Sequence, residues 1–220
     1  MNYFSHGHRY VDRPYFMVGT AVPDMLSAVD RQVRVRTKET LPLADGSPTP
    51  QAELAAGILQ HLHDDAWFHV TPAFYSTTGQ LTALFRELLV DDDSPRASFL
   101  GHIVTELLLD AVLIERDPGV LETYYTAFAQ VEAAVVEATV NTIARRPTER
   151  LAPLIPLFVQ ERFLADYVEP QTLLIRLNQV LRRVKLQPLP PETTTLLAVA
   201  REIVEASAPQ LLSPPPGSLS

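Results

Sequence analysis

The stretch Gln51-Ala52-Glu53-Leu54-Ala55-Ala56-Gly57-Ile58-Leu59-Gln60-His61-Leu62 decides the fold class. Leu54, Ile58, Leu59 and Leu62 recur at three- and four-residue intervals, the period of a helix with one face turned to a core. The segment follows Ala44-Asp45-Gly46-Ser47-Pro48-Thr49-Pro50, a loop by composition, with two prolines and a glycine. Pro72 disfavours helical backbone at Thr71, so this helix is expected to end near His69 or Val70.

The same period continues outward. A short helix is expected over 80–90, ended by the acidic run Asp91-Asp92-Asp93-Ser94-Pro95. Residues 97–114 form the most apolar helix candidate. Asp117-Pro118 supplies cap chemistry for the next, expected as one long helix from Gly119 to about Arg145, before Pro147. Further helices are expected over 154–166, 171–185 and 192–206. Strand-like alternation is nearly absent outside 32–36. The tail Ser213-Pro214-Pro215-Pro216-Gly217-Ser218 is too rich in proline to pack regularly. The expectation is an all-α protein, one helical domain over 1–210 with a disordered tail over 211–220.

A chain of 220 residues that is 46% apolar can bury a proper core. It has no cysteine, which removes disulfides, thiolate metal sites and thiol nucleophiles. Any metal must therefore take nitrogen and oxygen ligands. The net charge of −8 opposes a general nucleic-acid binder. Two basic clusters, Arg31, Arg34, Arg36 and Lys38, then Arg182, Arg183 and Lys185, stand against that total. Solvated surface charge is their simplest reading, and a phosphate or acidic partner the alternative. The opening residues lack a basic region followed by an apolar run, so no signal peptide is expected. The apolar runs fall short of the roughly 20 residues of a membrane span, and a cytoplasmic protein is expected.

All six histidines, His6, His8, His61, His63, His69 and His102, fall in the first 102 residues. A helix turns about 100° per residue, so a step of four advances only about 40°. His61, Asp65 and His69 are spaced by fours, as are His102, Glu106 and Asp110. Each trio lies along one side of its helix, and the first pair in each is placed to grip an ion. His102, Glu106 and Asp110 sit among Phe99, Leu100, Ile103, Val104, Leu107 and Leu108, where ionised groups are costly without a partner. Hydrogen bonding to neighbouring helices is the alternative to a cation there. Asp110 has rotated about 80° from His102, which weakens its claim. His63 faces about 200° away from His61, so His61 and Asp65 are preferred as ligands, with His63 or Asp64 in a supporting or catalytic role. A donor set of this kind suits Mn²⁺, Fe²⁺ or Zn²⁺.

Five motifs in order carry a family resemblance. Met1-Asn2-Tyr3-Phe4-Ser5-His6-Gly7-His8 resembles the M-N-F-L-A-H-L-H opening of the acyl carrier protein phosphodiesterases, members of the wider HD-domain-like metallohydrolases. Gly19-Thr20-Ala21-Val22-Pro23-Asp24 is similar to their G-N-x-x-x-D segment. Gly57-Ile58-Leu59-Gln60-His61-Leu62-His63-Asp64-Asp65 resembles G-I-x-x-H-R-x-I-D. Gly101-His102-Ile103-Val104-Thr105-Glu106 stands in place of a helix with D-x-x-x-D-H, and Glu161-Arg162-Phe163-Leu164-Ala165-Asp166-Tyr167 resembles E-x-W-L-x-x-Y. Leu62 replaces the family's arginine, His102 and Glu106 its aspartate pair, and Leu107 its histidine. The resemblance implies an HD-domain-like helical bundle and a manganese-dependent hydrolase of the phosphodiester joining phosphopantetheine to a carrier protein. It adds His6 and Asp24 to His61, Asp65, His102 and Glu106 as metal ligands, and sets His69 where the family has an aspartate. Asp64, His63 and His69 are the candidates for the base, and the substrate is expected to carry phosphate. A non-catalytic metal-binding helical module of the same fold is the alternative.

Overall fold

The computed structural model describes residues 1–89 and 95–215. It is all-helical, with no strand among the described residues. In chain order the helices are α1 (Tyr3–Gly7), α2 (Pro14–Val29), α3 (Thr37–Thr40), α4 (Pro50–Phe68), α5 (Pro72–Leu88), α6 (Arg96–Arg116), α7 (Pro118–Ala129), α8 (Ala133–Ile143), α9 (Leu151–Glu161), α10 (Pro170–Arg183) and α11 (Thr193–Leu211). Short 3-10 turns follow α1, α3 and α9, at His8–Tyr10, Leu41–Leu43 and Phe163–Tyr167.

Several boundaries differ from those expected, each for a local reason. The helix expected over 80–90 begins at Pro72, because Thr71 caps it: its Oγ1 accepts from Phe74 N at 3.2 Å, and proline suits the first helical position. The single helix expected over 119–145 is two, α7 and α8. At the break Glu132 is extended and donates its N–H to the Tyr15 hydroxyl, so a tertiary partner replaces a helical one. The alternation over 32–36 is real, with Val33 and Val35 buried and Arg34 and Arg36 exposed, but it belongs to an extended segment. The helix expected over 154–166 starts earlier, at Leu151, and yields to the last 3-10 turn after Arg162 takes a left-handed backbone (φ 47°). Helix α11 runs to Leu211, past the expected 206. Asp91-Asp92-Asp93 and the end of the tail lie outside the described residues.

Within the chain two compact units are distinguished: Met1–Ala66 with Asp117–Arg162, and Trp67–Arg116 with the chain from Phe163 onward. In the first, α2 packs on α1, α7 and α9, and α8 packs on α9. Its core is aromatic: Phe128 stacks on Phe158 at 4.6 Å between centroids, and Tyr124, fully buried, donates its hydroxyl to Tyr3 O at 3.0 Å. Helices α2 and α4 meet through glycines. A Cβ on Gly57 would lie 1.9 Å from Phe16 O, and one on Gly19 2.3 Å from Leu54 O. No other residue allows backbones so close.

In the second unit α5, α6 and α11 pack pairwise, with α10 on α11. Gly101 plays the part of Gly57: its Cβ would meet Thr78 O at 2.8 Å. By length and composition α6 could cross a membrane, contrary to the expectation from the apolar runs. However, 67% of its most apolar window is buried inside the protein, as in the core helix of a soluble protein. It also carries His102, Glu106 and Asp110, which a spanning helix would leave in lipid at high cost.

Candidate metal centres

Two groups of three side chains each bring their ligand atoms within 4.8 Å of one another: His6, His61 and Asp65 in the first unit, and His69, His102 and Glu106 in the second. Both groups could hold a metal ion.

The first is built from the N-terminal helix and α4. His61 follows Gly57 by one turn, and Thr20 follows Gly19, so the glycine contact brings the imidazole against α2. There His61 Nδ1 donates to Thr20 O at 2.8 Å, leaving Nε2 to face Asp65 Oδ2 at 3.4 Å. His6 is held in the same manner. Its Nδ1 lies 3.4 Å from Asp64 Oδ2, and its Nε2 lies 3.3 Å from Asp65 Oδ1. Asp64 is fixed in turn by Gln60 Nε2, which donates to Oδ1 at 2.9 Å. An acceptor on one ring nitrogen, with the other turned to a carboxylate that can share an ion with it, is the arrangement of a metal-binding histidine. The two rings are 4.0 Å apart. Ligands on bonds of about 2.1 Å lie about 3.0–3.4 Å apart, so these separations fit one ion.

Buried polar atoms and shifted charges mark this group. Asp24 Oδ2 is buried with no hydrogen-bond partner, and His6 Nε2, also buried, faces Asp65 Oδ1 at 3.3 Å without hydrogen-bond geometry. Leaving such atoms unsatisfied costs about 1–3 kcal/mol each. Burial pushes the Asp24 carboxyl up, while His61 and His6 draw it back. Burial also opposes charge on His6, but the carboxylates of Asp64 and Asp65 prevail and raise it to about 9. For Asp65, burial again opposes charge, and His6, His61 and the Met1 ammonium (3.0 Å from Oδ1) outweigh it. Its carboxyl is held far below the usual range. A divalent ion would take the place of the His6 proton.

The second group joins α6 to the turn after α4. His69 Nε2 lies 2.8 Å from Glu106 Oε1, and His102 Nε2 lies 3.3 Å from the same oxygen. The imidazoles are stacked at 5.1 Å between centroids. The Phe74 ring meets both edge-on, at 4.9 Å and 5.1 Å. Burial would raise the Glu106 carboxyl, but its bonds to His102 and His69 hold it well below the usual range.

The expected ligands thus fall into two sets. His6, His61 and Asp65 come together, with Asp24 close enough to couple to both imidazoles. His102 and Glu106 come together with His69, a candidate both for the base and, in the place of the family's aspartate, for a ligand or its support. Asp110 is fully buried and outside the triad. His63 is exposed, and Asp64 is engaged by His6 and Gln60. Sequence reasoning missed Thr20 O, Gln60 and Phe74. The four-residue spacing of Gln60 and Asp64 was a signal for one of them. Comparison with protein-family profiles, curated proteins and solved structures returned no match.

Proposed function

We propose that this protein is a metal-dependent phosphohydrolase of the phosphodiesterase type, working from the group His6, His61 and Asp65 with Asp24 beside it. The observation that carries the reading is the pairing of two imidazoles, each held at Nδ1 and turned at Nε2 to the same carboxylate. A divalent ion held there lowers the pKa of bound water and neutralises charge growing on phosphate oxygens. The chain's own part is to orient. Thr20 O and Asp64 fix the two imidazoles, which makes Asp64 a positioning residue. The Asp65 side chain, 33% exposed, gives the group its access to solvent.

The order of the five family-like motifs supports the phosphodiester class, Mn²⁺ as the first metal to test before Fe²⁺ and Zn²⁺, and a phosphopantetheinyl carrier protein as a substrate to try. Leu62 in place of the family's arginine favours a second reading, a metal-binding module without turnover. One experiment addresses both. Elemental analysis of the purified protein is followed by hydrolysis of bis-p-nitrophenyl phosphate with each metal. The expected result is bound metal and turnover, with His61→Ala losing the metal of this group and at least about 100-fold in rate. Metal without turnover would select the module. A metal-free protein, unchanged by His61→Ala, would remove both readings.

A further inference from the structure

The phosphohydrolase reading leaves the donor set of the second unit unused. We propose that His69, His102 and Glu106 form a second, independent site for a divalent transition-metal ion, with two nitrogens, one carboxylate oxygen and open positions toward solvent. The proposal goes beyond the phosphohydrolase reading and does not depend on it.

Geometry is the first argument. The two imidazole nitrogens lie 2.8 Å and 3.3 Å from one Glu106 oxygen, the spacing of neighbouring ligands on bonds of about 2.0–2.2 Å. Two histidines with one carboxylate is a donor set that transition metals take in preference to Mg²⁺ or Ca²⁺, which favour oxygen.

Preorganisation is the second. His102 and Glu106 are one turn apart on α6, which Gly101 seats against the backbone of α5. His69 sits in the turn between α4 and the Thr71-capped start of α5. Phe74 packs edge-on against both imidazoles and holds the stacked pair in place. A surface histidine merely bonded to a glutamate would not have its ring fixed from two sides.

Exposure is the third. Glu106 is 15% exposed, His69 29% and His102 49%, so the carboxylate forms the floor and the imidazoles the open rim. An ion can enter from solvent and keep water on its outer side, as in three-ligand sites.

The test uses the metal-free protein titrated with Co²⁺, read by its visible absorption, and with Zn²⁺, read by calorimetry. Two equivalents are expected for the wild type. His102→Ala, at a half-exposed position that tolerates truncation, is expected to bind one fewer. Glu106→Gln is expected to weaken the same equivalent at least about tenfold. Circular dichroism checks the fold, and His102→Asn serves if the alanine variant is unstable. His61→Ala is expected to leave this equivalent untouched. A wild type that binds only the His102-dependent equivalent, unchanged by His61→Ala, would therefore count against the phosphohydrolase reading and not this one. Wild-type stoichiometry and affinity retained in both His102→Ala and Glu106→Gln would overturn the proposal.

Discussion

Replacing Gly57 with alanine tests how the first metal centre is assembled. The added Cβ would lie 1.9 Å from Phe16 O and 3.0 Å from Gly19 Cα, against ordinary contact from 3.4 Å. Helices α2 and α4 must therefore part by about 1.5 Å, since the first atom met is backbone and no rotamer change relieves it. Overpacking of this kind costs about 1–3 kcal/mol, with the upper end expected for backbone against backbone. Alanine recovers up to about 1 kcal/mol of helix propensity, leaving a net loss of about 2 kcal/mol. The same parting stretches the 2.8 Å bond from His61 Nδ1 to Thr20 O past bonding distance, so metal affinity should fall together with stability. Gly79 supplies the control. It lies in α5, is exposed, and a Cβ there meets nothing within 4 Å, so Gly79→Ala should gain about 0.5–1 kcal/mol. Urea unfolding of the metal-free proteins measures both changes, and metal titration reads the centre. If Gly57→Ala were as stable as the wild type and bound metal equally well, the close approach of α2 and α4 would not be what positions His61.

Protonation at the first centre and the cap of α5 give further predictions. In the metal-free protein His6 is raised to about 9, so its contribution to stability is complete below its ordinary value of 6.5 and is lost as pH rises through 9. Asp65, which is depressed, contributes above its ordinary value of 3.8, and that contribution is lost as pH falls. Because an ion must displace the His6 proton, metal affinity should rise with pH between about 7 and 9, by up to about tenfold per unit; a flat profile in calorimetry would refute this competition. Thr71→Ala removes the cap of α5, whose Oγ1 accepts from Phe74 N at 3.2 Å, and should cost about 1 kcal/mol in urea unfolding. An unchanged midpoint would mean that the helix start is fixed by other contacts.

Much of the fold was legible because helix signals are local. The period of Leu54, Ile58 and Leu62 gave α4 nearly to its ends, and the apolar run over 97–114 gave α6 to within two residues. The errors arose where distant partners decide. Nothing near Glu132 announces a break, because the Tyr15 hydroxyl that takes its N–H is 117 residues away. The start of α5 was misplaced for a different reason. Thr71-Pro72 is a cap followed by a first-position proline, so the proline that ends one helix also begins the next. Val33 and Val35 alternate with arginines as a strand would, yet alternation reports one buried side, not a partner strand.

The candidate sites were legible in angle but not in distance. Steps of four place residues on one side of a helix, and the two pairs so identified do face each other, His61 Nε2 with Asp65 Oδ2 at 3.4 Å and His102 Nε2 with Glu106 Oε1 at 3.3 Å. A four-residue step also rises about 6 Å, and two such steps about 12 Å, more than the ligands of one ion span. The third member of such a series therefore drops out even when its angle is acceptable, as Asp110 does on α6, where it is buried outside the triad. The remaining ligand must come from another segment. For Glu106 and His102 it is His69, beyond the end of its helix; for His61 and Asp65 it is His6, on the N-terminal helix. No periodicity links those segments, and the groups that orient the imidazoles include a backbone carbonyl, Thr20 O, which every residue possesses. Spacing can nominate pairs, and only packing can complete them. The close approach of Gly19 and Gly57 is the packing step that turns the His61–Asp65 pair into a site.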